Sequence, residues 1–505
     1  MSENQPKQTR REFLKGAGAV AASVALSGRI PAVFADDARK PNVIFIFADQ
    51  LRACSVGCYG DKQARTPNLD KLASEGVRFT NAISTWPVCS PFRAMLMTGR
   101  YPMSNGVVYN DYPIWDGLPY IGTAFKSQGY ATGYIGKWHL QGKTEGKGGV
   151  PPDRRLGFDY WEPVKGPILS EGPDGKQIWR PNVQTDKAIS YIKANKDRPF
   201  CLFLSWNPPH DPYIAPDEYM AMFPPETMEL RPNTAEKELV RIELERHPIP
   251  ASNSEAAMKR AKWRRIIDSD DGIRRNMQGY YAATHGLDVC IGRIMKALDE
   301  EGIAEDTILV FSSDHGDMLG SHRMSHKQEP FEESINIPFI LRYPRRVPKG
   351  ITTDALLSPM DIMPTLLSLA GLPIPKGVQG ISLADAALGK RSDQRDALLI
   401  MKMLPGGNPW IINAATEWRG VRTKTHTYAR LADGGPWILY DNKNDPYQMR
   451  NLVNDPAYKE LQTEMETKLK QLLKEAGDPF DTEKIEREIA EKSKTMLKSR
   501  AGKGI

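Results

Sequence analysis

The sequence predicts an α/β fold: one large, mostly parallel or mixed sheet flanked by helices, followed by a smaller C-terminal α+β subdomain. Three observations carry this reading. Continuous apolar runs of strand length recur between residues 42 and 312, stretches of helical period lie between them, and chemistry-bearing polar residues follow the ends of the runs. Open α/β sheets place their sites at the C-terminal ends of the strands. At 505 residues the chain also exceeds one ordinary core.

The first run, 42–48, has no polar alternation and stops at Asp49, as a strand buried on both faces does. Thr66-Pro67 opens a short helix, with Thr66 as its cap and proline in its first turn. A helical stretch at 121–128 leads into a strand at 130–135 that ends at Gly136-Lys137. Strands at 200–206 and 307–312 bracket a helix over 278–301, where Tyr281, Leu287, Ile291, Ile294 and Leu298 recur at helical spacing. Residues 215–277 are rich in charge and proline and read as an insertion. From about 385 the pattern changes to short antiparallel strands at 418–423 and 437–440 and an amphipathic helix at 455–477. The expected organisation is an address segment at 1–35, the large domain at 36–384, the subdomain at 385–480 and a charged tail at 481–505.

The address has a charged start, an apolar stretch at 16–27 and a small-residue cleavage site at Val33-Phe34-Ala35. Arg10-Arg11 followed by Phe13-Leu14-Lys15 resembles a twin-arginine signal. That resemblance implies the twin-arginine translocation machinery as a partner, export in the folded state, cleavage near Ala35, and a periplasmic or extracellular destination. No stretch of 18 apolar residues occurs, so no stable membrane anchor is expected. The net charge is +6, and residues 1–35 supply five basic against two acidic side chains, so the remainder carries about +3. So small a surplus argues against nucleic-acid binding. Five cysteines are too few for a disulfide scaffold, and the CxxxC pair Cys54 and Cys58 lacks the second pair a zinc site needs. Four of the five read as packing residues.

The fifth differs. Cys89-Ser90-Pro91-Phe92-Arg93 opens a segment closing on Leu96-Met97-Thr98-Gly99-Arg100, and a second block runs Gly133-Tyr134-Ile135-Gly136-Lys137-Trp138-His139-Leu140. With Pro209-His210-Asp211-Pro212, Ser313-Asp314-His315-Gly316, and Lys327 followed by Glu333 and Pro338, these blocks resemble, in order, type I (formylglycine-dependent) sulfatases of the alkaline phosphatase superfamily. The resemblance spans about residues 40–345 and implies an alkaline phosphatase-like fold. It also implies that Cys89 is oxidised to formylglycine by a formylglycine-generating maturation enzyme.

The chemistry of a sulfate monoester fits those residue types. Its anionic sulfur centre repels nucleophiles, so hydrolysis needs a cation cluster, a strong nucleophile and an acid for the leaving alcohol. Asp49, Gln50, Asp314 and His315 resemble the family's metal ligands, joined there by the modified Cys89. Oxygen-rich ligation favours one hard divalent cation, calcium before magnesium or manganese. In the implied mechanism one hydroxyl of the hydrated aldehyde attacks sulfur and the other then expels sulfate. Arg93 and Lys137 would steady the formylglycine oxygens and the cation cluster, and His139 would be the base for expulsion. His210 and Lys327 would bind sulfate oxygens and protonate the leaving oxygen. His322, seven residues after His315, is a candidate substrate-binding residue, whereas His285 and His326 read as structural.

Three departures from the family pattern bear on the substrate and on maturation. Many members carry two aspartates where this chain has Asp49-Gln50, and Asp-Asn where it has Asp314-His315. The glutamine and histidine versions also occur in relatives that cleave phosphonate monoesters or phosphodiesters, which is the alternative activity. Phe92 stands where a serine is common before the signature arginine. A non-enzymatic binder of sulfated glycans would have lost the nucleophile or a ligand, and this chain has lost neither. Export suits a scavenger of sulfated carbohydrate, and Trp263 with neighbouring arginines is a candidate sugar-binding rim.

Overall fold

The computed structural model describes residues 40–142, 149–236, 269–390, 394–404, 417–432 and 435–501. The address at 1–35, the middle of the insertion and its Trp263 lie outside these residues. The large sheet has eight strands in the order β10-β2-β9-β8-β1-β7-β3-β4. They are β1 (Asn42–Asp49), β2 (Val77–Ala82), β3 (Ala131–Gly136), β4 (Tyr160–Pro163), β7 (Phe200–Pro209), β8 (Thr307–Ser313), β9 (Phe339–Arg342) and β10 (Ile351–Leu357). β5 (Leu169–Glu171) and β6 (Gln177–Trp179) form a separate hairpin. Central β1 pairs parallel with both β7 and β8, and β9 alone runs against its neighbours β8 and β2.

The sheet is apolar on both faces because helices cover both. Along β1, Val43, Phe45 and Phe47 join one buried cluster while Ile44, Ile46 and Ala48 join the other. This accounts for the uninterrupted run in the sequence. The first cluster is completed by the helices Cys89–Thr98 and Pro359–Leu369, the second by Asp270–Glu300. Ser269 caps the last of these, accepting from Gly272 N at 3.2 Å, so that helix begins inside the expected insertion.

The expected cap Thr66 does not serve the helix Pro67–Ser74; its hydroxyl accepts instead from Gly57 N at 2.9 Å. Asp288 takes the role from another helix, accepting from Leu69 N at 2.7 Å and Asn68 N at 3.2 Å. A tertiary carboxylate therefore replaces the local cap.

β11 (Ala397–Lys402), β12 (Trp418–Thr423), β13 (His426–Leu431) and β14 (Gly435–Asp441) form a four-stranded antiparallel sheet. The helix Lys459–Ala476 buries Met465 and Leu469 against it. The charged terminal stretch, expected as a tail, is helical over Thr482–Ala501 and buries Ile485 and Ile489 in the same cluster. That cluster also holds Trp86, Val88 and Met95, so the C-terminal part braces the segment carrying Cys89.

Candidate active site

The chemistry-bearing residues converge at the C-terminal edge of the large sheet. β1 ends at Asp49 and is followed by Gln50, β8 is followed by Asp314 and His315, β3 by Lys137 and His139, and β7 by His210. Cys89 is the first residue of its helix, where exposed backbone N–H groups favour a negatively charged side chain. Two glycines permit the close approach. A Cβ on Gly136 (φ 111°) would lie 1.9 Å from Ser205 O, and one on Gly316 would lie 2.0 Å from Glu333 O. Gln50 (φ 72°), His139 (φ 60°), His326 (φ 64°) and Gln328 (φ 80°) are non-glycine residues held in the left-handed region around this edge.

Asp49 and Asp314 are both fully buried, and each divides its two oxygens. Their Oδ2 atoms accept from Arg93 at 3.1 and 2.9 Å, and Asp49 Oδ2 also accepts from Lys137 Nζ at 2.5 Å. The other Arg93 nitrogen donates to Lys137 O at 2.6 Å and Ser205 Oγ at 2.8 Å. The Oδ1 atoms turn inward, 3.6 Å (Asp49) and 3.4 Å (Asp314) from His315 Nε2. His315 Nδ1 lies 3.0 Å from Gly316 O; a carbonyl only accepts, so Nδ1 carries a proton, and Nε2 faces the cluster. Cys89 Sγ sits 3.3 Å from that nitrogen, 3.7 Å from Asp49 Oδ1 and 3.4 Å from Lys137 Nζ.

These four ligand-type atoms lie within 4.8 Å of one another and all four residues are buried. Burial, and then the Asp49 charge, push the Asp314 carboxyl up. Burial would raise Asp49 too, but Lys137, His210, Arg93 and His315 outweigh it and hold that carboxyl well below its ordinary value. Burial and Asp49 likewise oppose ionisation of Cys89, and Lys137, Lys327 and His315 overcome them, lowering the thiol. Two buried carboxylates and an imidazole nitrogen gathered this closely fit a hard divalent cation.

Gln50 follows Asp49 at the same edge. Its Nε2 donates to Asp317 Oδ2 at 2.7 Å, and its Oε1 accepts from Lys327 Nζ. Lys327 Nζ also lies 3.0 Å from His210 Nε2, while His210 Nδ1 lies 2.8 Å from Asp211 O. The second contact puts the His210 proton on Nδ1, so Nε2 accepts from the lysine. His139 stands above the first turn of the Cys89 helix, where Ser90 Oγ donates to its carbonyl at 2.7 Å. Its Nε2 is 3.8 Å from Asp111 Oδ1.

His322 goes elsewhere: fully buried, it stacks on Phe331 and lies 3.3 Å from Asn233 Nδ2, among residues other than the Cys89 group. His285 is structural as expected, its Nδ1 2.7 Å from Arg65 O. His326 is buried beside the site, 3.5 Å from Asp211 Oδ1, and burial pushes its imidazole down to about 4. Phe92 packs against Phe47, facing the core. Sequence reasoning passed over Asp317, Asp211 and Ser205. Asp211 lies inside a quoted block and Asp317 directly follows one, and nothing in the sequence marks Ser205.

The sulfatase family model matches residues 41–372, and the model described as N-sulphoglucosamine sulphohydrolase, C-terminal, matches 320–475. The model for the twin-arginine translocation pathway signal sequence matches residues 7–27. An ulvan-active sulfatase of Formosa agariphila is 36% identical over 463 residues, covering 88% of this chain and 83% of its own. A solved sulfatase structure from Bacteroides fragilis is 33% identical with a TM-score of 0.70, covering 87% of this chain and 97% of its own. A second, solved in complex with its substrate D-glucosamine-2-N,6-O-disulfate, is 25% identical with a TM-score of 0.73, covering 87% and 99%. With the signature blocks gathered at one sheet edge and the family model spanning the whole large domain, the chain belongs to the sulfatases of the alkaline phosphatase superfamily and is an exported sulfuric ester hydrolase.

Proposed function

We propose that the protein hydrolyses sulfate esters of a sulfated carbohydrate, using a formylglycine made from Cys89 beside one divalent cation, calcium in the first place. The observation that carries this reading is the position of Cys89 Sγ, 3.3 Å from His315 Nε2 and 3.4 Å from Lys137 Nζ, at the mouth of the buried ligand cluster. Asp49, Gln50, Asp314 and His315 would hold the cation, which supplies charge neutralisation for sulfate oxygens and activation of a hydroxyl. As a hydrated aldehyde, position 89 would offer a nucleophilic hydroxyl for the sulfur and a second hydroxyl for release of sulfate.

The remaining side chains divide the work by position. Arg93 holds the Oδ2 atoms of Asp49 and Asp314 with one terminal nitrogen and is itself anchored by the other, on Lys137 O and Ser205 Oγ. Lys137 touches both Asp49 and position 89 and offsets negative charge there. Lys327 and His210, in contact with each other, are assigned to the sulfate oxygens and the leaving oxygen, with the lysine ammonium as the proton source and His210 Nε2 able to relay its proton. His139, across Ser90 from position 89, is the base for the second step. The sugar-active relatives support carbohydrate as the substrate class.

Sulfate release and intact mass of the Cys89 peptide, measured on protein from the native host, test the reading. The expected result is a formylglycine mass and sulfate released from sulfated oligosaccharides, with release abolished in Cys89→Ala. Equal activity in both proteins, or faster cleavage of phosphodiesters than of sulfate esters of the same alcohol, refutes it. Turnover of aryl or alkyl sulfates alone refutes the carbohydrate assignment.

A further inference from the structure

Asp317 lies three residues past Asp314 and is completely buried. Its Oδ1 accepts the backbone N–H groups of Leu319 at 2.8 Å and His326 at 3.0 Å. Its Oδ2 accepts the Tyr213 hydroxyl and Gln50 Nε2, each at 2.7 Å. At the other end of the same amide, Gln50 Oε1 accepts from Lys327 Nζ.

The two ends of a glutamine amide are nearly equal in size and differ in polarity: one accepts, the other donates. Shape alone therefore does not orient it. Here the neighbours do. Lys327 offers only donors and an ionised Asp317 only acceptors. A half-turn of the Gln50 amide would set N–H against ammonium and C=O against carboxylate, breaking both bonds in a buried setting where an unmade hydrogen bond is costly. We propose that Asp317 is a positioning residue: it draws the amino end of Gln50 to itself and so keeps the carbonyl oxygen on the opposite, Lys327 side, the end that the metal reading offers to the cation. An amide N–H₂ has no lone pair to give a hard cation, so on the metal reading above this orientation is what makes position 50 a ligand. Tyr213 and the two backbone N–H groups fix the Asp317 carboxylate in turn.

A polarity swap tests this. In Asp317→Asn the remaining oxygen must stay with the backbone N–H groups of Leu319 and His326, so the new amino group faces Gln50. The Gln50 amide then has a donor at each end, Lys327 and the new amino group, and neither orientation keeps both hydrogen bonds, so the carbonyl oxygen is no longer held in place. A carboxylate at position 50 has acceptors at both ends, so adding Gln50→Glu supplies a ligand oxygen again and accepts from the new amino group. The readouts are calcium affinity by titration calorimetry on chelator-stripped full-length protein and thermal melting of each calcium-free variant. Asp317→Asn should weaken calcium binding at least about ten-fold. Gln50→Glu should improve affinity at least about ten-fold more in the Asp317→Asn background than in the parent, a coupling that a double-mutant cycle isolates.

A general loss of folding would not be repaired by a second change at position 50, so restored binding in the double variant separates orientation from structural damage. Calcium bound equally well by parent and Asp317→Asn, or an equal effect of Gln50→Glu in both backgrounds, overturns the inference and leaves the metal reading intact. A parent protein that binds no calcium, magnesium or manganese overturns the metal reading and the inference together.

Discussion

Replacing Glu333 by glutamine probes how the loop after β8 is held. Glu333 is buried, and its Oε1 accepts from Asn233 Nδ2 at 2.7 Å and Arg231 Nε at 3.1 Å. Its backbone carbonyl packs on Gly316, immediately after His315. Burial would raise this carboxyl, but Arg231, His322, Asn233 and Arg52 outweigh it and push it down from 4.5 to about 2. The unfolded chain then takes up the proton more readily than the folded one, so the stabilisation is full above about pH 5 and is lost as pH falls toward 2. A gap of about 2.5 pH units corresponds to about 3 kcal/mol at neutral pH, falling to less than half of that by pH 3. Glu333→Gln keeps the shape and removes the titration. Urea unfolding of parent and variant at pH 7, 5, 4 and 3 measures the difference. The expected curves converge as pH falls; a gap that is constant across this range refutes the argument that the buried charge is what stabilises.

Three further outcomes follow from the site geometry. Arg93→Lys replaces two terminal nitrogens serving four acceptors with a single nitrogen, so calcium-free protein should lose about 3 kcal/mol in denaturant unfolding; an unchanged midpoint refutes the bridging role. His210→Ala and Lys327→Ala should slow release from sugar sulfates by about 10²–10⁴-fold. The same variants should slow 4-nitrophenyl sulfate much less, because that leaving group needs no proton, and equal losses on both substrates would show that neither residue donates to the leaving oxygen. Calcium at about 1,000 times its dissociation constant should stabilise the chelated protein by about 4 kcal/mol, and an unfolding midpoint indifferent to calcium counts against the cluster as a cation site.

Much of the fold was legible because its signals are local. The run at 42–48 shows a strand covered on both faces, and His210, Asp314 and Lys137 follow strand ends in the sequence as they do in space. Other features were illegible for a physical reason. Thr66 and Asp288 compete for the same helix start, and Asp288, which wins, is more than 200 residues away. The terminal segment reads as charged throughout, yet Ile485 and Ile489 find an apolar surface built by Trp86, Met95 and Leu469. His322 has motif-like spacing from His315, but a left-handed turn (φ 52°) carries it to Asn233 and Phe331.

By itself, the sequence determined the strand pattern and the class of chemistry and named the candidate reacting residues, since periodicity and adjacent motif positions are properties of neighbours along the chain. Only the tertiary structure decided how those residues are used. Which oxygens of Asp49 and Asp314 turn inward, which nitrogen of His315 faces Cys89, and which end of the Gln50 amide faces Lys327 are set by Arg93, Gly316 and Asp317. Orientation of a donor or acceptor is a property of its partners, and except for Gly316 these partners arrive from elements far apart in the sequence.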